Sequence, residues 1–145
     1  MSISQTTTTS FRVQLLQAVH NFDSDTFKIA LYTGAADIGP DTTTYTSIGE
    51  ASGTGYTAGG ETLTVSTTPT YGTNTYGAVT AYISFANVSW NSASFTARGA
   101  LIYNSSKSDK SVAVLDFGSD KIVTNGTFTI TFPANTSTSA VIRSV

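Results

Sequence analysis

The sequence predicts an all-β domain, an antiparallel β-sandwich or jelly-roll-like barrel with one short N-terminal α-helix. Three observations carry this reading. Short runs of β-branched and aromatic residues alternate with polar ones and are separated by Gly, Pro, Asn and Asp turn signals. Ser and Thr fill about a third of the 145 positions while charged residues make up only 11%. An average soluble domain carries roughly 25% charge, so polarity here comes from hydroxyls that suit a pleated surface. No helical pattern separates consecutive strands, which excludes a parallel βαβ architecture.

The length fits a single domain, here residues 10–145, preceded by a Ser/Thr tract at residues 1–9 that reads as a flexible arm. Ser10 is placed as a helix N-cap. Phe11, Leu15, Ala18, Val19 and Phe22 recur at three- and four-residue spacing, which predicts an amphipathic helix of about three turns. Asn21 to Thr26 reads as a turn. Phe27, Ile29 and Leu31 then alternate with Lys28, Ala30 and Tyr32 as a strand ending at Thr33-Gly34.

Residues 35–61 hold no apolar run, and a loop this long is either functional or packed on its own side chains. Its glycine-rich end, Gly53-Thr-Gly55-Tyr56-Thr-Ala-Gly59-Gly60, is followed by a strand around Leu63 and Val65 rather than by a helix, which opposes nucleotide binding. A sharp corner with glycines at positive φ and Tyr56 anchored in a pocket is expected instead. Pro69 to Gly77 is expected to be a turn region in which Tyr71 and Tyr76 are core lids or contact residues. Val79 to Phe85 is a strand with Ala81, Ile83 and Phe85 on one face. Trp90 is placed at an edge of the core.

The centre of the chain is a hairpin, Ala97 to Gly118. Its strands are Gly99–Tyr103 and Val112–Phe117, and its polar tip, Asn104 to Ser111, is expected to project into solvent or onto a partner. Val112 and Val114 are assigned to one face and Ala113, Leu115 and Phe117 to the other. Asn125-Gly126 predicts a second hairpin, between Ile122-Val123 and Thr127–Phe132. Phe128, Ile130 and Phe132 share an inward face, Pro133 ends that strand, and Ser139 to Val145 supplies a last strand with Ala140 and Ile142 inward.

The chemistry of sites narrows the function classes. A net charge of −2 leaves no basic footprint for nucleic acid, and no apolar run approaches the roughly 20 residues of a membrane span. There is no cysteine. The N-terminal tract has neither a basic nor an apolar region of a secretory signal, so synthesis in the cytoplasm is expected. His20 has no second histidine or acidic cluster in helical register and is read as structural. It also leaves a Ser-His-Asp triad with a poorly placed base. Asp23-Ser-Asp25 is an isolated D-x-D, read as turn chemistry rather than a calcium loop. The Asn-x-Ser/Thr sequons at Asn87, Asn104, Asn125 and Asn135 are what chance supplies in so hydroxyl-rich a chain. No catalytic, cofactor-binding or metal-binding residue is assigned, and an enzyme is not expected.

Three strings resemble small virion structural proteins of tailed bacteriophages: Phe27-Lys-Ile-Ala-Leu-Tyr-Thr, Gly53-Thr-Gly-Tyr-Thr-Ala-Gly-Gly60, and Ala97-Arg-Gly-Ala-Leu-Ile-Tyr-Asn104 with Ala113-Val-Leu-Asp-Phe-Gly118. The resemblance runs from the helix to Pro133 and implies a structural component of the virion. A capsid decoration (cement) protein bound to the major capsid protein is the leading expectation. The alternatives are a neck or tail component and a carbohydrate-binding module for host-surface glycans. Stapling neighbouring capsid subunits favours a homo-oligomer, a trimer above other forms.

Overall fold

The computed structural model describes residues 2–73, 77, 79–134, 136 and 139–144. Tyr76 and the Asn135 sequon lie outside the described residues, as does Val145. The elements run β1 (Thr6–Thr7), α1 (Thr9–Leu16), β2 (Phe27–Tyr32), β3 (Glu61–Leu63), β4 (Val65–Thr73), β5 (Val79–Phe85), β6 (Val88–Asn104), a 3-10 turn (Ser105–Lys107), β7 (Lys110–Ile130) and β8 (Ile142–Ser144). They form two antiparallel sheets, ordered β1-β7-β6-β2-β3 and β4-β5-β8. The all-β sandwich-like fold is as expected.

The five-stranded sheet buries both faces, because consecutive residues of its inner strands are apolar. From β2, Phe27, Ile29 and Leu31 enter the main core, where Ile83, Phe85 and Ile142 of the small sheet meet them. Stacked Phe22 and Phe27 rings, 4.5 Å apart, and Phe85 against Phe132 at 5.7 Å fill that layer. Ala30, Tyr32, Leu101, Tyr103 and Val114 point the other way. They form a second cluster with Ala36, Ile38 and Tyr45, so the long loop covers the sheet's other face.

The N-terminal segment is not a free arm. Thr6 and Thr7 pair with Val114 and Ala113 of β7, and the Ser4 and Ile38 backbones are joined at 3.0 Å. A row of unpaired backbone groups on β7 is what attracts an apolar-poor segment to the sheet. Thr8, not Ser10, caps the helix. Its Oγ1 accepts the Phe11 N–H at 3.3 Å, and the side chain is fully buried beside Ser111. The helix is also shorter than expected, stopping at Leu16. The N–H groups of Ala18 and Val19 turn back to the Leu15 and Gln14 carbonyls, with Ala18 at φ 58°. This is a Schellman stop made without glycine. Leu15 and Leu16 consequently face solvent, and Phe22 reaches the core from the following turn.

The Asn125-Gly126 hairpin does not form. Both flanking runs pair with the same strand, Lys121–Val123 with Ala97–Phe95 and Phe128 with Trp90, so they are collinear. Asn125 takes the left-handed conformation (φ 47°), but as part of a bulge in which Thr124 and Asn125 oppose the single residue Ser94. The Asn125 N–H donates to Ser94 Oγ at 2.9 Å. A second bulge corrects the faces of the central strand. Tyr103 opposes Ser111 and Ile102 opposes Ala113, leaving Val112 as the extra residue. Val112 therefore joins Ala113, Leu115 and Phe117 in the main core, and Val114 alone turns to the second cluster. Leu115 and Phe117 are half-buried there.

Pro69 lies within β4 rather than in a turn. β4 is an edge strand with irregular register between Thr67 and Thr70, which is where a sheet tolerates proline. On β5, Ile83 and Phe85 are buried as expected, but Ala81 is exposed beyond the core and Thr80 is buried instead. Ala140 and Ile142 are buried, and Phe128, Ile130 and Phe132 face inward as the alternation predicts.

Candidate functional site

Two groups of polar side chains stand out among the described residues. The first lies under the glycine-rich corner. Residues 49–51 and 61–63 both pair with the outer edge of β2, the first with residues 31–33 and the second with residues 27–29. The chain between them must leave that edge and return, and the glycines make the return possible. A Cβ on Gly60 (φ 75°) would lie 1.8 Å from the Ile29 carbonyl oxygen, and one on Gly53 would lie 2.2 Å from that of Ser94. Tyr56 is anchored as the sequence suggests. Its hydroxyl accepts the Leu31 N–H at 2.9 Å and donates to Glu50 Oε1 at 2.6 Å.

Glu50 is the hub of this group. Tyr45 donates to its Oε2 at 2.6 Å, and the Gly59 N–H reaches Oε1 at 2.7 Å. Tyr103 donates to the Gly59 carbonyl and Tyr32 to that of Thr46, both at 2.6 Å. Burial, reinforced by the Glu50 carboxylate, raises the hydroxyl pKa values of Tyr32, Tyr45 and Tyr56 well above the usual phenol range. That of Tyr103 is pushed up to about 12 by burial, then by Asp109 and Glu50. These tyrosines stay neutral donors, and the carboxylate oxygens are occupied by them, so the arrangement clamps a loop to a sheet.

The second group joins α1, the 21–26 turn and the hairpin tip. Asn104, fully buried, donates from Nδ2 to His20 Nδ1 at 3.0 Å and to Asp25 Oδ2 at 2.8 Å. Its Oδ1 accepts the Ser106 N–H at 3.0 Å. His20 is buried against Phe11, and its Nε2 lies 2.8 Å from Gln14 Oε1. Burial lowers the His20 pKa; Asp25 opposes that shift, and Lys110 and Lys107 add to it. Burial alone would raise Asp25, but bonds from Asn104 and Asn21 and the nearby Lys107 outweigh it and leave its pKa lowered.

The other sequence candidates are accounted for singly. Asp25 has its oxygens engaged by Asn21, Asn104 and Lys107, and Asp23 N–H closes a turn onto Asn21 Oδ1. Among the described residues, no group of three or more His, Asp or Glu side chains is placed to hold a metal ion. The Asn104 sequon amide is buried and bonded, so a glycan there is incompatible with this fold. The hairpin tip does not project freely either. Ser105 N–H donates to the Thr26 carbonyl, Tyr45 N–H to that of Asp109, and Lys107 lies 3.6 Å from Asp25 Oδ1.

Trp90 serves packing, as the sequence suggests. It is buried between Tyr56, Phe95 and Phe128, with ring centroids 5.9–6.4 Å away. Tyr71 is exposed on β4. Sequence reasoning missed Glu50 and Asn104 as hubs. The signal for Glu50 was its isolation, a lone acid between Asp41 and Glu61 in a stretch of hydroxyls and glycines. Nothing local marked Asn104.

Large apolar side chains lie on the surface at Val13, Leu16, Ile48, Val79 and Ile122. No helix among the described residues is long and apolar enough to cross a membrane. Comparison with protein-family models, with curated proteins and with solved structures finds no match to this chain.

Proposed function

We propose that this protein is a bacteriophage virion structural protein, a capsid decoration (cement) protein that binds the outer face of an assembled shell and holds neighbouring copies of the major capsid protein together. The observation that carries this reading is where the two kinds of side chain point. The polar clusters at Glu50 and Asn104 turn inward and satisfy one another, while Leu16, Ile48 and Ile122 are 91, 79 and 73% exposed on a surface with few charges. Such a surface suits contact with another protein more than turnover of a small substrate. Binding only the assembled shell stabilises it by mass action, without chemistry. The N-terminal segment is hydrogen-bonded to its own sheet, so the contact falls to the body of the domain, with a trimer as the preferred oligomer.

Co-sedimentation of purified protein with shells, with copies counted per capsid subunit, tests this. Saturable binding in a fixed ratio, weakly dependent on salt, is expected. A handful of copies per virion and a monomer at every ionic strength would move the protein to the neck or tail. A carbohydrate-binding module is the less favoured reading, because Tyr32, Tyr45, Tyr56 and Tyr103 are engaged in the loop clamp. Among the described residues it would rest on the exposed Tyr71, and a glycan array decides it.

A further inference from the structure

We propose that Gln14, His20, Asn104 and Asp25 form a pH-sensitive clasp that ties α1 and the 21–26 turn to the hairpin tip, and that opens when the His20 imidazole gains its second proton. The argument starts from Asn104, whose orientation is dictated by two partners of unambiguous chemistry. The Ser106 N–H demands an acceptor, so it faces Oδ1, and the Asp25 carboxylate demands a donor, so it faces Nδ2. The remaining Nδ2 hydrogen then points at His20 Nδ1, which must offer a lone pair. His20 is therefore the neutral tautomer carrying its proton on Nε2, and that proton goes to Gln14 Oε1.

A second proton, on Nδ1, would set N–H against N–H inside a buried site. Rotating the Asn104 amide does not relieve this. It would turn Oδ1 toward the Asp25 carboxylate and Nδ2 toward the Ser106 N–H, so two bonds become two repulsions. Protonation and the closed clasp thus exclude each other.

The surroundings agree. Facing the imidazole are Gln14 and the Phe11 ring from α1, the Phe27 ring from β2, Asp25 from the turn, Lys107 from the 3-10 turn and Lys110 from β7. Of these only Asp25 favours an imidazolium, and its oxygens are already taken up by Asn21, Asn104 and Lys107. The folded-state pKa of His20 is accordingly below its ordinary 6.5, through burial first. A histidine that binds its proton more weakly when folded contributes full stability above 6.5. That contribution is lost as pH falls from there through the folded value. The Asp25 pKa is lowered from 3.8, so its own loss begins only below that and is separable.

Hydrogen exchange on the full chain, corrected for the intrinsic rate, reads the clasp at the amides of residues 12–17. Between about pH 7.5 and about pH 5 the local opening constant should rise by up to about tenfold per pH unit below 6.5. It should stay flat in His20→Gln. Nitrogen-15 spectra of the imidazole should show the Nε2–H tautomer at neutral pH and titration below 6.5. A proton found on Nδ1, titration at or above 6.5, or the same pH response in His20→Gln would each overturn the proposal. If His20→Gln does not fold, the tautomer and titration of the wild-type imidazole decide alone.

Discussion

The hydroxyl of Tyr56 stands in for a missing strand at Leu31, accepting its backbone N–H at 2.9 Å in the gap between two stretches that pair with the same edge of β2. A side chain from 25 positions along the chain thus completes a backbone ladder, and the same oxygen hands its own proton to Glu50.

Tyr56→Phe should therefore cost more than a surface hydroxyl would. It leaves the Leu31 N–H without a partner and removes one donor from Glu50, for a loss of about 1–3 kcal/mol. Urea denaturation of the variant, with Glu50→Gln and the double variant beside it, measures this. The two changes should be clearly non-additive, by about 0.5–3 kcal/mol, because they share a bond.

The same tyrosines predict an alkaline limit. Their pKa values are raised above 10.0 in the folded protein, so folding retains protons that the unfolded chain releases. Stability from this source is complete below pH 10 and falls as pH rises toward the folded values. Phenolate absorbance followed alongside circular dichroism should show these tyrosines ionising together with unfolding.

Gly60 and Gly118 separate two reasons for a glycine. Both have positive φ, 75° and 80°, but a Cβ on Gly118 meets nothing within 4 Å while one on Gly60 strikes the Ile29 carbonyl. Gly118→Ala should cost about 1 kcal/mol, the strain of the left-handed backbone alone. Gly60→Ala should cost about 4 kcal/mol or more, or prevent folding, since backbone must move. Equal melting temperatures for the two would mean the corner is looser than described.

Deleting residues 2–8 should lower the melting temperature by many degrees. The deletion removes β1, the Thr8 cap and its bond to Ser111 at 2.9 Å. Thr8→Ala alone should cost about 1–2 kcal/mol, the upper part of the range for a lost cap. A truncated chain that melts like the full one would restore the reading of this segment as an arm.

Along β6, Leu101→Ala should cost about 2–5 kcal/mol and Trp90→Ala about 3–5, as expected of fully buried side chains. Leu115→Ala and Phe117→Ala, at half-buried positions, should each fall clearly below the matching fully buried change. Thermal melts of the four variants give the order.

Alternation along single strands was legible in the chain itself. Phe27-Ile29-Leu31 and Phe128-Ile130-Phe132 name their inward faces because a strand's side-chain period depends on local geometry alone. The all-β class and the Gly53–Gly60 corner with its Tyr56 anchor followed in the same way, from residue types over a few positions. What only the tertiary structure decided was which distant segment meets which. Asn125-Gly126 has the chemistry of a turn, yet it became a bulge because both of its flanks found partners on β6. Val112 changed faces through one extra residue opposite Ile102-Tyr103. Asn104 became a hub because α1, the 21–26 turn and the hairpin tip converge on it. The Asn125 and Asn104 outcomes are settled by hydrogen bonds between residues 31 to 84 positions apart. Those bonds must all be satisfied at once in a buried site, and no window of sequence contains both of their ends.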